Sequence, residues 1–263
     1  MEKLSQNVIK LDPLINKFNA TCKILIKNEI KGLGFFCNIN INHNITNKEM
    51  IVLFTNNHIL KKEDLELNSE FEIEYLKTRE TKENQFISKE KKIIKINEKR
   101  LVFINSSLDY VCIEIFDEDI LNNINFFEID DEINTNNPFH EYTNQNCFIT
   151  QIAKGVFDID KGQIVDINSK NKILYKILIK HVSSGSPIIL SKNSKIIGID
   201  CGRIKENNFK KGIFIKPILK DIQYKYNKLF KFREQIKFKN RLIDAYNKNQ
   251  FMLNKLNWYK ITK

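Results

Sequence analysis

The sequence predicts an all-β protein of two six-stranded antiparallel β-barrels, with a short N-terminal helix and a basic C-terminal helix. About a dozen short runs of β-branched and aromatic residues fill the region from residue 21 to residue 216. Polar segments of Asn, Asp, Lys and Ser separate these runs, a spacing that is typical of a barrel or a sandwich. A parallel sheet would instead alternate its strands with helices. At 263 residues, we expect one such domain with short terminal additions.

Residues 1–20 are predicted to form a short helix that leads into the first strand. Their apolar side chains recur at roughly helical spacing, with an interruption at Pro13. These side chains are Leu4, Val8, Ile9, Leu14, Ile15 and Phe18. The opening residues MEKLSQNVIKLD lack an apolar stretch long enough for a signal peptide.

The barrels are predicted over residues 21–216, the first over about 21–120 and the second over about 121–216. The predicted strands of the first barrel are TCKILI, GFFCNI, MIVLF, FEIEYL, KKIIKI, RLVFI and YVCIEI. Those of the second barrel are CFITQI, GQIVDI, ILYKILI, PIILS, KIIGID and GIFI. The chain has only 8 Gly and 4 Pro, so most of its turns have to rely on Asn and Asp.

The C-terminal region, residues 217–263, is predicted to be a basic helical extension, with one long or broken helix over 217–248. Its apolar residues recur at helical intervals among lysines. They are Ile218, Ile222, Tyr226, Leu229, Phe230, Ile236, Leu242 and Ile243. We expect this apolar stripe to pack against the barrel. The alternatives are binding of a partner protein and binding of an anionic surface, either a membrane or a nucleic acid.

Composition indicates an intracellular protein. Of the net charge of +11, residues 221–263 contribute +8, from eleven basic and three acidic side chains. The remaining chain is close to neutral, so we expect neither a nucleic acid nor a membrane as its partner. Five cysteines without CxxC spacing are typical of reduced core residues, which favours the cytoplasm. No zinc-ligand spacing and no phosphate-binding loop occur, so no metal or cofactor is expected.

Three short segments carry the side chains of a nucleophilic serine site. TNNHIL places His58 at the end of an apolar strand, LDYVCIEI places Asp109 at the mouth of another, and SSGSP places Ser184 in a tight turn. Such a site needs a hydroxyl nucleophile, an imidazole to take its proton and a carboxylate to orient the imidazole. Taken singly, each of the three also fits a structural role in a turn or at a strand end.

With these segments, the sequence resembles the trypsin-like serine peptidase superfamily, particularly its intracellular and bacterial members related to glutamyl endopeptidases. The match spans roughly residues 20–220 and also includes GLGFF, KIIGID and KKGIFI. In that superfamily the serine followed by Gly-Ser-Pro is the nucleophile, which implies Ser184 here. The resemblance implies that His58 and Asp109 complete a catalytic triad, in a cleft between two β-barrels.

The nucleophile loop departs from the pattern of the superfamily. Two residues before the nucleophile, relatives usually have a Gly whose amide helps to form the oxyanion hole, and this chain has Val182. A β-branched residue resists unusual backbone torsions. The resemblance implies that the amides of Val182 and Ser184 face the oxyanion. Ser183 replaces the Asp that receives a newly cut N-terminus in zymogen-activated relatives, so that route of activation is not implied.

Two further residues are candidates for substrate specificity. Asp200 occupies the position of the histidine that meets an acidic substrate side chain in glutamyl endopeptidases. A carboxylate there favours Lys or Arg before the scissile bond. The alternative is that Asp200 is solvated or pairs with Arg203. His181 lies next to the nucleophile loop, and we expect it to form part of the wall of the site or to play a structural role.

Together these features predict a serine endopeptidase that acts on a protein or peptide substrate and is latent until triggered. The alternative is a catalytically impaired module of the same fold that binds a protein partner. The basic C-terminal helix offers a surface for such a partner.

Overall fold

The computed structural model describes residues 19–42, 47–80, 85–116, 118–119, 125–134, 141–153, 155–168, 171–177, 181–203, 209–232 and 235. The chain divides into two compact units, residues 1–220 and residues 221–263. The helix predicted over residues 1–20 lies outside the described residues, except for residues 19 and 20, which form a turn.

The first half of the larger unit is an antiparallel sheet of seven strands. In spatial order the strands run β5-β4-β1-β2-β3-β7-β6. Their bounds are β1 Thr21–Ile26, β2 Glu29–Asn42, β3 Asn47–Thr55, β4 Glu70–Glu80, β5 Gln85–Lys95, β6 Val102–Asn105 and β7 Tyr110–Glu114. In the described residues the seven strands correspond to the seven predicted runs of this region, one more than a six-stranded barrel contains.

The second half is a closed six-stranded antiparallel barrel in the order β10-β13-β12-β11-β8-β9, which the β9–β10 pair closes. Its strands are β8 Asn146–Ala153, β9 Val156–Ile167, β10 Lys172–Ile177, β11 Pro187–Leu190, β12 Ile196–Arg203 and β13 Phe209–Phe214. The predicted all-β architecture of two antiparallel β-structures is confirmed.

The hairpin between β1 and β2 illustrates how local sequence sets strand register. Ile26 pairs with Glu29 across a two-residue turn, and both turn residues, Lys27 and Asn28, have positive φ. A turn of this hand matches the right-handed twist of the flanking strands. It fixes the register that pairs Leu25 with Ile30. A register shift follows between Leu25 and Ile24, and both of these side chains are buried.

A short segment connects the first sheet to the barrel by pairing with both. The Phe127 amide donates to the carbonyl of Phe36 on β2 at 3.0 Å, and the Asp130 amide donates to the carbonyl of Ile196 on β12 at 3.0 Å. The buried Asp130 carboxylate accepts from the Tyr142 hydroxyl at 2.8 Å. Because these bonds join the linker to both structures, it fixes their relative position.

The two β-structures also meet directly at one edge of β2. The Leu33 amide donates to the carbonyl of Ser184 at 2.9 Å, and the Thr55 hydroxyl donates to the carbonyl of Leu33 at 2.7 Å. A Cβ at Gly185 would lie 1.9 Å from the Leu33 carbonyl oxygen. Only glycine permits this approach, and its φ of +88° also requires glycine. The turn that contains Ser184 therefore packs against the first sheet.

Helix α1 spans residues 215–232, and it begins two residues before the predicted start. Pro217 falls in its first turn, where the missing N–H is tolerated. Within the smaller unit, the rings of Tyr226 and Phe230 stack at 6.5 Å, one helical turn apart. Residues 236–263 of the predicted extension lie outside the described residues. Among the described helices, none combines the length and apolarity required to span a bilayer.

Candidate active site

His58 lies in the turn that follows β3, with its side chain 47% exposed. The amides of Ile59 and Leu60 both donate to the carbonyl of Asn56 at 3.2 Å. The Ile59 and Leu60 side chains are buried in the core of the first sheet. This packing anchors the turn from below, so that the imidazole is held at the surface.

Asp109 holds His58 through two bonds. One carboxylate oxygen, Oδ2, lies 2.8 Å from Nδ1 of the His58 ring, and the other, Oδ1, accepts from the His58 backbone amide at 3.0 Å. An ionised carboxylate can only accept hydrogen bonds, so Nδ1 is the donor. In the neutral form of the imidazole, the other ring nitrogen, Nε2, then carries no proton and can act as an acceptor.

The backbone of Asp109 has a left-handed conformation, with φ +46°. The Asp109 amide donates to the carbonyl of Ser106 at 3.3 Å, which closes the turn between β6 and β7. From the opposite side, Nδ2 of the fully buried Asn56 donates to the Asp109 carbonyl at 3.0 Å. Asn56 therefore supports Asp109 in a conformation that non-glycine residues seldom adopt.

Cys201 on β12 links this arrangement to the second barrel. Asn56 Nδ2 also lies 3.3 Å from the Cys201 sulfur. Burial and, next in size, the charge of the nearby Asp109 raise the pKa of the Cys201 thiol well above its ordinary value. Cys201 consequently remains a neutral thiol beside the Asp109 carboxylate.

Ser184 occupies a tight turn ahead of β11. The Ser186 amide donates to the carbonyl of Ser183 at 3.0 Å, and Gly185 provides the positive φ that the third position of such a turn requires. A Cβ at Gly202 would lie 3.1 Å from the Ser184 hydroxyl oxygen. Since Gly202 directly follows Cys201, the hydroxyl lies next to the strand that contacts Asn56 and Asp109.

The structure thus brings the turns that carry His58, Asp109 and Ser184 to the same junction between the first sheet and the barrel. No hydrogen bond joins the His58 ring to the Ser184 hydroxyl among the described residues. In substrate-free enzymes such bonds are often long and shorten only when substrate binds.

Val182 lies at the edge of the site with 51% of its surface exposed. Its carbonyl accepts from the Ile152 amide at 2.8 Å, which fixes the segment to the end of β8. Val182 is not among the described residues with positive φ, so its β-branched side chain meets no strain of that kind. Val182 and Ile152 form an isolated antiparallel bridge, and the role predicted for the amides of Val182 and Ser184 at the oxyanion stays a prediction.

Asp200 is fully buried on β12 beneath the turn that contains Ser184. Its carboxylate accepts from the hydroxyls of Tyr175 and Ser183 and from the Gly202 amide. Lys210 on β13 forms an ion pair with it at 3.6 Å. The carboxylate is therefore not solvated. The alternative pairing with Arg203 lies outside the described side chains, and the predicted role of Asp200 in specificity stays a prediction.

His181 is exposed beside this cluster. Burial and, next in size, the charge of Asp158 raise the pKa of Asp160 on β9, while the hydrogen bond from Gln151 and interactions with Lys210 and His181 act in the opposite direction. The Asp160 carboxylate also accepts from Gln151 at 2.8 Å. The role predicted for His181 in the wall of the site stays a prediction.

Sequence reasoning missed Asn56 and Lys210. Asn56 belongs to TNNHIL, but nothing in the motif distinguishes its buried side chain from that of its neighbour Asn57. Lys210 belongs to KKGIFI, and a lysine at the end of a strand is predicted to be exposed to solvent. In the part of the chain that the structure describes, no group of three or more His, Cys, Asp or Glu could hold a metal ion.

The sequence matches no protein-family model and no curated protein. Several solved structures are similar in fold. A serine endoprotease from Yersinia pestis aligns with a TM-score of 0.52 at 12% identity, over 82% of this chain and 65% of that one. A Glu endopeptidase in complex with MPD aligns with a TM-score of 0.51 at 15% identity, over 79% and 90%. Deg5 aligns with a TM-score of 0.50 at 15% identity, over 79% and 89%.

These likenesses concern the fold, because all three identities are 15% or lower. The closer relation to glutamyl endopeptidases that the motifs predict stays a prediction. With a closed six-stranded barrel, a second antiparallel sheet and a C-terminal helix, the chain has the trypsin-like double-barrel fold.

Proposed function

We propose that the protein is a serine endopeptidase that hydrolyses peptide bonds of a protein substrate through His58, Asp109 and Ser184. The observation that carries the proposal is the double contact of Asp109 with the amide and the ring of His58. A purely structural Asp–His pair has no need of both bonds. Two bonds fix the orientation of the imidazole as well as its tautomer, which is what a general base requires.

In this mechanism, Nε2 of His58 takes the proton of the Ser184 hydroxyl as its oxygen attacks the peptide carbonyl. Asp109 accepts from Nδ1 and stabilises the imidazolium that forms. The imidazolium then gives its proton to the leaving amine, and water hydrolyses the acyl-enzyme by the same proton transfers. The amides of Val182 and Ser184 stabilise the oxyanion, a contribution worth about 10²–10³ in turnover for each donor.

The substrate class follows from the fold and the site. An open junction with a half-exposed imidazole suits an extended peptide segment of a folded or unfolded protein. The preference for Lys or Arg that the sequence predicts stays a prediction, because Lys210 already compensates the Asp200 charge. The cytoplasmic location and the latent resting state also stay predictions.

The test is covalent labelling with a fluorophosphonate probe, which reacts with activated serines. We expect the folded protein to be labelled and Ser184→Ala to lose labelling completely. We expect His58→Ala to slow labelling by roughly a hundredfold or more, since general-base catalysis is worth about 10²–10⁴. Ser186→Ala is the matched control, because the Ser186 hydroxyl is buried in the same turn and has no partner among the described residues; it keeps its labelling.

The second candidate is a catalytically impaired module that binds a protein partner. Two observations favour it: Val182 stands where relatives usually have glycine, and no hydrogen bond joins His58 to Ser184 among the described residues. This candidate predicts that folded protein resists labelling at every pH and probe concentration. Labelling that persists in Ser184→Ala would also count against the peptidase.

A further inference from the structure

A buried polar cluster lies directly beneath the turn formed by residues 183–186, called the nucleophile turn below. It consists of Lys210, Asp200, Ser183 and Tyr175, each less than a tenth exposed. The four residues come from β13, β12, the nucleophile turn and β10. Because a buried charge is costly unless it is paired and hydrogen-bonded, a cluster of this kind requires compensating contacts.

Ser183 is the centre of the cluster. Its hydroxyl donates to the Asp200 carboxylate at 2.6 Å and accepts from the Lys210 ammonium. The ammonium also lies 3.6 Å from the same carboxylate. Ser183 therefore bridges the two charges, and both of its hydrogen bonds are charge-assisted, the strongest kind that a hydroxyl makes.

The backbone of the turn is tied to Asp200 as well. The Gly185 amide donates to the Asp200 carbonyl at 2.9 Å, and the Asp200 amide donates to the Ser186 carbonyl at 2.8 Å. Tyr175 holds the remaining carboxylate oxygen through its hydroxyl. Burial, with the Asp200 charge second, raises the pKa of Tyr175, so its hydroxyl stays protonated and remains a donor.

We propose that Lys210, Asp200 and Ser183 form an internal clamp that positions the nucleophile turn. In this role the three are positioning residues, which act on the reaction through the backbone of Ser184. The effect of the clamp on catalysis rests on the proposed function. Its effect on the conformational order of the turn does not depend on that function. It gives Asp200 a role inside the protein in place of direct contact with a substrate.

Ser183 lies immediately before Ser184, so rotation of Ser183 would carry the nucleophile and its amide with it. The clamp opposes this rotation through side chains of the barrel. Its two charged members, Asp200 and Lys210, belong to β12 and β13, which are paired in the barrel. The turn is thus held as soon as the barrel has formed.

The experiment is amide hydrogen exchange on the full chain, read by mass spectrometry on peptides that cover residues 182–186 and, separately, β8. We expect Ser183→Ala to raise exchange in the turn roughly tenfold or more, since a hydrogen bond to a charged group is lost. Exchange in β8 should rise less than in the turn, and the midpoint of thermal unfolding should fall by a few degrees, because the lost bond is also absent from the unfolded chain. Ser186→Ala, with a buried hydroxyl that has no described partner, should leave both peptides as in the wild type.

The fluorophosphonate reaction of the same variants gives the catalytic readout. We expect Ser183→Ala to lower the maximal labelling rate about tenfold while the probe concentration for half-maximal rate is unchanged. Lys210→Met leaves Asp200 buried and uncompensated, so it is measured beside the double variant Lys210→Met with Asp200→Asn. The double variant should recover stability and still show fast exchange in the turn.

Each outcome separates the clamp from the proposed function. Unchanged exchange in the turn of Ser183→Ala, or exchange raised equally throughout the barrel, overturns the clamp. Raised exchange in the turn supports it even where no protein is labelled, and that absence of labelling instead counts against the peptidase. A double variant with a turn as ordered as in the wild type would mean that the ion pair serves stability alone.

Discussion

Asn56 has contacts on two sides of the candidate site. Its amide nitrogen donates to the carbonyl of Asp109 and lies near the sulfur of Cys201. Its amide oxygen is buried without a partner among the described residues. This oxygen lowers the stability of the folded protein, because an unsatisfied buried oxygen is unfavourable. We attribute the cost to the support that Asn56 gives to Asp109.

Replacing Asn56 by alanine should loosen Asp109 without removing any member of the proposed triad. We expect Asn56→Ala to slow fluorophosphonate labelling about fivefold to tenfold, since a hydrogen bond of this kind is worth roughly 1 kcal/mol. The His58 ring resonances in NMR should shift or broaden as the Asp109 carboxylate becomes mobile. Asn57→Ala, in the adjacent and less buried residue, serves as the control, and an equal effect in that variant would refute a specific role for Asn56.

At the residue scale, the sequence predicts what depends on neighbours along the chain. His58, Asp109 and Ser184 each stand beside an apolar strand within a short motif, so they can be proposed from the sequence. The buried position of Lys210 depends on Asp200, ten residues away, and on the serine of a third segment. Such a contact between distant segments leaves no pattern in a single sequence, and for this reason the cluster was not predicted.

At the element scale, each of the thirteen predicted runs overlaps one of the thirteen strands in the described part of the chain. The runs were identified from apolar and β-branched residues, which strands bury on one or both faces. Strand ends were harder to predict, because polar residues continue several strands beyond their apolar part. The strand β9 begins at Val156, six residues before the predicted run. Sheet order also was not predicted, since pairing joins strands that are distant in sequence, such as β1 and β4.

Strand β1 carries a buried lysine that joins the first sheet to the barrel. The side chain of Lys23 is only 3% exposed and pairs with Glu74 on β4. Its ammonium also donates to the carbonyl of Gly155 at 2.8 Å and lies over the ring of Phe157 at 5.2 Å. Lys23 therefore ties the start of β9 to the first sheet.

Removing this lysine should be costly, because Glu74 would remain largely buried without its partner. We expect Lys23→Met to lower the free energy of unfolding by about 3 kcal/mol, as measured by urea denaturation. Lys31→Met removes the exposed Lys31–Glu29 pair and should leave the free energy of unfolding nearly unchanged. Equal losses in the two variants would contradict the structural role of Lys23.

At the scale of the whole molecule, buried thiols and phenols set the response to alkaline pH. All five cysteines are free, and four of them are buried. Burial, with the Asp200 charge second, raises the pKa of Cys147 from 9.0 to about 12. Burial likewise raises the pKa of Tyr75, Tyr142 and Tyr175.

Stability should therefore decline above about pH 9, where the unfolded chain begins to release protons that the folded chain retains. Below that pH both states keep these protons, and the contribution of the groups to stability is fully present. Each group should remove about 1.4 kcal/mol per pH unit between its unfolded and folded pKa. Urea denaturation under reducing conditions from pH 7 to pH 11 measures the slope of the free energy of unfolding against pH. Cys147→Ala should reduce this slope by the contribution of one group. A free energy of unfolding that is constant up to pH 11 would refute this expectation.

The contact between Leu33 and Ser184 has a consequence for synthesis of the protein on the ribosome. The first sheet emerges well before the nucleophile turn, and the turn is supported on one side by that sheet and on the other by β12, which emerges later still. Under the proposed function, the nascent polypeptide therefore has no peptidase activity until both halves have folded and docked. A newly made chain could not digest itself or its neighbours during translation.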